Sequence, residues 1–158
     1  MTQQNTLHHP ILSLSLVALQ FSLIALLSYL LINQTQYLLE LLHTAALIGY
    51  AFAIILGLWA VKIMRLGKFN IVPDPQQNIT LITSGPYRYI RHPMYLSILI
   101  FFLPPVLAQP SFSILLTYGS LTFTLIIKLH YEEHLLKQVL STYAHYQTHS
   151  KKLIPFIY

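Results

Sequence analysis

The chain contains no cysteine, and only four of its 158 residues are acidic: Glu40, Asp74, Glu132 and Glu133. Without cysteine there is no disulfide, no thiolate-ligated zinc and no thiol nucleophile. Any carboxylate chemistry must come from those four side chains. Charge of both signs is scarce, at 8 % of residues against 55 % hydrophobic, and mean hydropathy is +0.60. Such a composition excludes an ordinary soluble domain and indicates an integral membrane protein. A net charge of +5 is of the sign that nucleic-acid binding requires. There is, however, no dense Lys/Arg run, and the basic residues flank apolar segments, so no nucleic-acid partner is expected. No Gly-rich dinucleotide fingerprint follows a strand, and no Walker-type phosphate loop is present.

What is there is hydrocarbon in long runs. Residues 11–32 form an apolar run long enough to span a bilayer. The preceding residues carry no Lys or Arg, so the run reads as a first transmembrane helix rather than a cleaved signal peptide. Residues 41–64 form a second span, with Ala45, Gly49, Ala53 and Gly57 four apart on one face. Small side chains there let another helix approach closely, most simply one from the same chain. Residues 93–108 form a short third span, interrupted by Pro104-Pro105, and 112–127 a fourth, expected to continue as one helix through Leu140. The reading is an all-α, single-domain polytopic protein covering residues 1–158.

All nine Lys/Arg residues lie in or next to 65–92 and 128–158, none on the other side of the four spans. The positive-inside rule makes that side cytoplasmic, with both termini, and the inner membrane if the source is bacterial. Pro73-Asp74-Pro75 rules out a continuous helix in the long 65–92 connection. The 79–83 stretch, apolar and β-branched, is expected to pack against the membrane face.

The densest chemistry is in Ser84 to Tyr95, reading Ser-Gly-Pro-Tyr-Arg-Tyr-Ile-Arg-His-Pro-Met-Tyr. Gly85-Pro86 predicts a turn, and His92-Pro93 predicts a helix starting at Pro93. Arg91 and His92 then sit at a helix N-terminus, which favours an anionic ligand; a basic anchor at the lipid headgroups is the simpler alternative. Further on, a helix over 129–146 would align Glu132 with Leu136, Val139 and Tyr143, facing inward, with Lys128 one turn before as a possible partner. Glu133 would instead point out and pair with Lys137 on the surface. His130-Tyr131-Glu132-Glu133-His134 matches an inverted zinc-protease pattern, but no Asp, Glu or Cys follows to supply a third ligand, so no metal is expected.

Thr83 to Tyr95, followed by Glu132-Glu133, Leu136, Tyr143, Tyr146 and Leu153-Ile154-Pro155-Phe156, resembles the isoprenylcysteine carboxyl methyltransferase family. The phospholipid methyltransferases share a looser version of the pattern. The resemblance extends from about Gly67 to Tyr158. It implies a membrane methyltransferase using S-adenosyl-L-methionine, with the cofactor in a cytoplasmic-side pocket built by 65–92 and 128–158 and closed by the C-terminal segment. A lipophilic substrate would enter from the bilayer. Carried over by position, it puts cofactor contacts at Thr80, Leu81, Ile82, Tyr87, His92, Pro93, Met94, Tyr95 and Glu132. Arg91 would hold the cofactor's carboxylate and Lys128 would orient the acceptor. Lys128 stands where the family has Arg, and Ser97 where it commonly has Gly. The acceptor and the oligomeric state stay open. An NADPH-dependent membrane steroid- or enone-type reductase and a non-catalytic scaffold are the alternatives.

Overall fold

The computed structural model describes residues 10–33, 44–66, 80–155 and 157. Among them are five α-helices, α1 (Pro10–Ile32), α2 (Thr44–Leu66), α3 (Pro93–Ala108), α4 (Phe112–Val139) and α5 (Tyr143–His149), with a 3-10 helix at Gly85–Arg88. There is no strand among the described residues. Asp74, Lys68 and the start of the second predicted span, 41–43, lie outside them, as do residues 67–79 of the 65–92 connection.

Three helices are long and apolar enough to cross a membrane: residues 11–32, 46–64 and 112–139. The third expected span, α3, is also apolar but only 16 residues long. At 1.5 Å per residue it reaches about 24 Å, short of a hydrocarbon core of about 30 Å. Large apolar side chains on all four helices face outward, among them Phe21, Ile55, Leu107 and Phe123. That exposure suits lipid, not water.

The helices pair as α2 with α3 and α1 with α4, and α3 joins the two pairs by packing on α4. Along α1 the inward residues are Ser13, Leu16, Gln20, Leu27 and Leu31, spaced as one helical face. That face packs on α4, whose buried residues include Ile114, Thr117, Leu121, Leu125 and Lys128. The small-residue face of α2 is used within the chain, as the spacing predicts. A Cβ on Gly49 would lie 3.1 Å from Pro104 Cγ, and one on Gly57 3.1 Å from Ser97 Oγ. The same face buries Ala53 and Ala60.

Two expectations are corrected here. Pro104 and Pro105 do not interrupt α3, which passes through both to Ala108. The helix expected over 129–146 is two helices. α4 stops at Val139, Leu140 is extended, and α5 begins at Tyr143. No Gly or Pro marks that break. It is set by where α5 packs: the turn brings Tyr143 and Tyr146 inside, whereas Val139 is 55 % exposed rather than facing in.

Candidate functional site

The start of α3, the last turns of α4, the start of α1 and the end of α2 meet at one end of the bundle. The 3-10 helix seats there on α2. Gly85 has φ +60, and a Cβ on it would lie 2.9 Å from Ile63 Cγ1 and 3.2 Å from the Trp59 indole nitrogen. Only glycine meets both demands without strain. The 3-10 turn buries Tyr87 and delivers Arg91 and His92 to the head of α3, with His92 as N-cap and Pro93 at the first helical position.

The chain after α5 then runs alongside this segment. Arg91 N–H donates to the Lys151 carbonyl at 2.8 Å, His92 N–H to Lys152 at 3.0 Å, and Lys151 N–H to Tyr89 at 3.0 Å. Ile90 and Lys151 form a parallel bridge. Tyr146 donates its hydroxyl to the Tyr87 carbonyl at 2.5 Å. The C-terminal segment is therefore stitched to the Tyr87–His92 backbone from two sides.

Both glutamates face this junction, which corrects the expected outward Glu133–Lys137 pair. Glu133 Oε1 accepts from Arg91 Nε at 2.6 Å, with both side chains 7 % exposed. It also lies 3.3 Å from His92 Nε2, while Oε2 accepts from Gln147 at 3.0 Å. Glu132, on the adjoining face, accepts from the Tyr95 hydroxyl at 2.5 Å and lies 3.5 Å from His92 Nδ1. His92 thus bridges the two carboxylates and stacks on Tyr95, with ring centroids 5.3 Å apart. Burial opposes charging His92, but the hydrogen bonds and negative charge of Glu132 and Glu133 outweigh it and raise its pKa above the usual value. Arg91 is committed within the protein as well: beyond Glu133, its guanidinium donates to the Ser150 carbonyl.

Lys128 is 3 % exposed. Its ammonium does not pair directly with Glu132. It donates to Gln20 Oε1 at 2.9 Å and lies 5.2 Å from the centre of the Tyr95 ring. Tyr95 therefore touches both Glu132, through its hydroxyl, and Lys128, through its face. Of the other expected contacts, Thr80 is exposed, Leu81, Ile82 and Met94 are half-buried, and Pro93 is buried.

Among the residues of this junction, one polar atom is left over. The Tyr87 hydroxyl is buried and has no hydrogen-bond partner among the described residues. Burial raises its pKa, and the charges of Tyr146 and Glu132 raise it further, so the hydroxyl is neutral and within the field of Glu132. A buried hydroxyl with no partner costs roughly 1–3 kcal/mol.

The histidines of the zinc-like pattern are otherwise engaged. His130 Nδ1–H donates to the Ile126 carbonyl at 2.7 Å and its Nε2 accepts from Lys152 at 2.8 Å, while His134 accepts from Gln138 at 2.9 Å. No three His, Asp or Glu gather as a metal-ligand group among the described residues.

Sequence reasoning missed Gln20, Gln147 and Ser150. Gln20 carried a signal, being the sole amide in the 11–32 apolar run. Gln147 and Ser150 carried none, because their role depends on how α5 folds back.

A phospholipid methyltransferase family model matches residues 41–143, well over half of the chain. The chain belongs to the phospholipid methyltransferase family. No curated protein and no solved structure matches it. The match covers α2, α3 and α4, and so takes in Arg91, His92, Tyr95, Lys128, Glu132 and Glu133. α1 and the segment after Tyr143 lie outside it. Of the two families resembled in sequence, the model that matches is that of the phospholipid enzymes. With three helices able to span a bilayer, the protein is an integral membrane member of a methyltransferase family.

Proposed function

We propose that this protein transfers a methyl group from S-adenosylmethionine to a lipophilic acceptor drawn from the bilayer, at a site bounded by Tyr87, His92, Tyr95, Lys128 and Glu132. The observation that carries the reading is the unpartnered Tyr87 hydroxyl within the field of Glu132, in a chain of this family. The donor set suits the cofactor. Glu132 offers an acceptor for an ammonium or for hydroxyls, the Tyr87 hydroxyl can donate or accept, and aromatic faces favour a sulfonium. Thr80, Leu81 and Ile82, leading into the 3-10 turn, and Pro93 and Met94 at the head of α3 would complete the contacts.

When bound, the cofactor supplies a sulfonium methyl, and its transfer to a carboxylate oxygen forms an O–CH3 bond, breaks the S–CH3 bond and leaves the electron pair on sulfur. No residue of the chain then has to take a proton. The work of the protein is positioning. Tyr95 fixes Glu132 through its hydroxyl and faces Lys128 with its ring. Lys128 brings a positive charge to an acceptor anion. Arg91, held by Glu133 and the C-terminal segment, keeps the head of α3 and the end of α4 in register. A prenylcysteine-like carboxylate is the acceptor that best suits Lys128. If the short α3 also crosses the bilayer, the one-sided basic residues support an orientation with the site and both termini in the cytoplasm.

Two measurements test this. Calorimetric titration of the detergent-solubilised protein with S-adenosylhomocysteine should give saturable binding that Glu132→Gln weakens by about one to two powers of ten, the worth of a charge-assisted bond. Mass spectrometry of membranes with and without the active protein should reveal a species heavier by one CH2. Binding unchanged in Glu132→Gln removes that residue from the site, and absence of binding refutes the reading.

A further inference from the structure

Lys128 presents an imbalance. It is an ammonium held 3 % exposed within the helix bundle, and no carboxylate contacts it directly. A charge so placed is costly and marks function more often than stability. An ammonium carries three N–H donors. Gln20 Oε1 takes one at 2.9 Å, and the Tyr95 ring faces the charge at 5.2 Å. No further hydrogen bond to Lys128 is formed among the described residues, so donor capacity remains.

Gln20 is the unusual partner. It lies on α1, outside the region matched to the phospholipid methyltransferases, and is itself 5 % exposed. Its carbonyl oxygen adds no charge, so it directs the ammonium without neutralising it. A guanidinium is steered by its own planar fork, whereas an ammonium on a flexible stem needs an external acceptor to fix it. We infer that Gln20 is a positioning residue that holds the Lys128 ammonium against Tyr95 so that a remaining N–H meets an anionic oxygen of the methyl acceptor. The inference rests on the methyl-transfer reading. It makes α1 part of acceptor selection.

The test uses the full chain reconstituted in lipid nanodiscs, with two acceptor probes: N-acetyl-S-farnesylcysteine, which offers a carboxylate, and phosphatidylethanolamine, which offers an amine beside a phosphodiester. Gln20→Met keeps length and removes the acceptor. Gln20→Glu keeps the hydrogen bond but places a counter-charge on Lys128. Both variants should lower kcat/KM for N-acetyl-S-farnesylcysteine on the order of tenfold, mainly through KM. Affinity for S-adenosylhomocysteine should stay within about twofold of the unsubstituted protein. The same loss with phosphatidylethanolamine supports the inference with the headgroup phosphate as the anion.

The Glu variant separates positioning from structure. A purely structural hydrogen bond survives Gln20→Glu, so unsubstituted kinetics in that variant overturn the inference. It also decides the matter if Gln20→Met does not fold. Unchanged KM in both variants, with the unsubstituted protein active, overturns the inference alone. An unsubstituted protein that methylates neither probe overturns the methyl-transfer reading and the inference together.

Discussion

The two ends of α3 are held by different physics. Toward its middle and end, α3 lies against α2 along small residues: Gly57 faces Ser97 and Gly49 faces Pro104. Nothing there is charged, and contact comes from close approach. At its head, α3 is tied to α4 and the C-terminal segment by Arg91, His92, Glu132 and Glu133, a set of ionisable groups each of which is partnered by another. The seam tolerates loss of one contact because dispersion is spread over many atoms. The polar junction does not, because removing one partner leaves another charge buried.

The strongest way to break that contrast is Glu133→Gln. It strands the Arg91 guanidinium in a site where both side chains are 7 % exposed. The expected loss is about 3–5 kcal/mol, read as a fall in the thermal midpoint of the detergent-solubilised protein. A loss below 1 kcal/mol would return Glu133 to the surface role its helical spacing suggested.

His92 sharpens the contrast through pH. Its pKa is raised in the folded protein, burial being outweighed by Glu132 and Glu133, so folding takes up a proton. The stabilisation is fully present below the unfolded value near 6.5 and fades as pH rises through the higher folded value. His92→Gln should therefore cost roughly 1.5–3 kcal/mol at pH 6 and progressively less toward pH 9. Thermal melts of both proteins across that range measure it. A gap that widens with pH would reverse the sign assigned to the pair.

On the seam, Gly57→Val should cost about 1–2 kcal/mol, because its Cβ already meets Ser97 Oγ at 3.1 Å. Ser97→Gly in the same chain should recover most of it. That recovery, measured as a coupling in a double-mutant cycle, identifies the clash with Ser97 as the cause. The smallest effect belongs to Lys137→Ala. Glu133 is committed to Arg91, so Lys137 loses no buried pair, and the midpoint should move by less than about 0.5 kcal/mol equivalent.

Reading the chain alone located the apolar helices well. A helix is found at 93–108 in both sequence and structure, though not one long enough to count as a span, and the small-residue face of α2 packs where its four-residue spacing put it. The Gly85 turn and the Pro93 helix start are local backbone facts, legible because Gly and Pro restrict or free φ on their own. The site was legible in part. His92, Tyr95 and Glu132 do come together, whereas Lys128 turned out to be partnered by Gln20 rather than by the glutamate one turn away.

What the sequence determined by itself is therefore whatever depends on neighbours within a turn or two: which runs are helical, which are apolar enough for lipid, and where the chain must bend. Only the tertiary structure decided the fate of Glu133, the break at Leu140 and the partner of Lys128. On an isolated helix Glu133 and Lys137 are four residues apart in the favourable order. In the folded chain Arg91, 42 residues away, offers a desolvated, directional partner at 2.6 Å, and a charge-assisted bond of that kind outweighs an exposed ion pair. The α4 helix ends at Val139 because Tyr146 and Gln147 have to reach Tyr87 and Glu133, and helical propensity over three residues is too weak to prevent it.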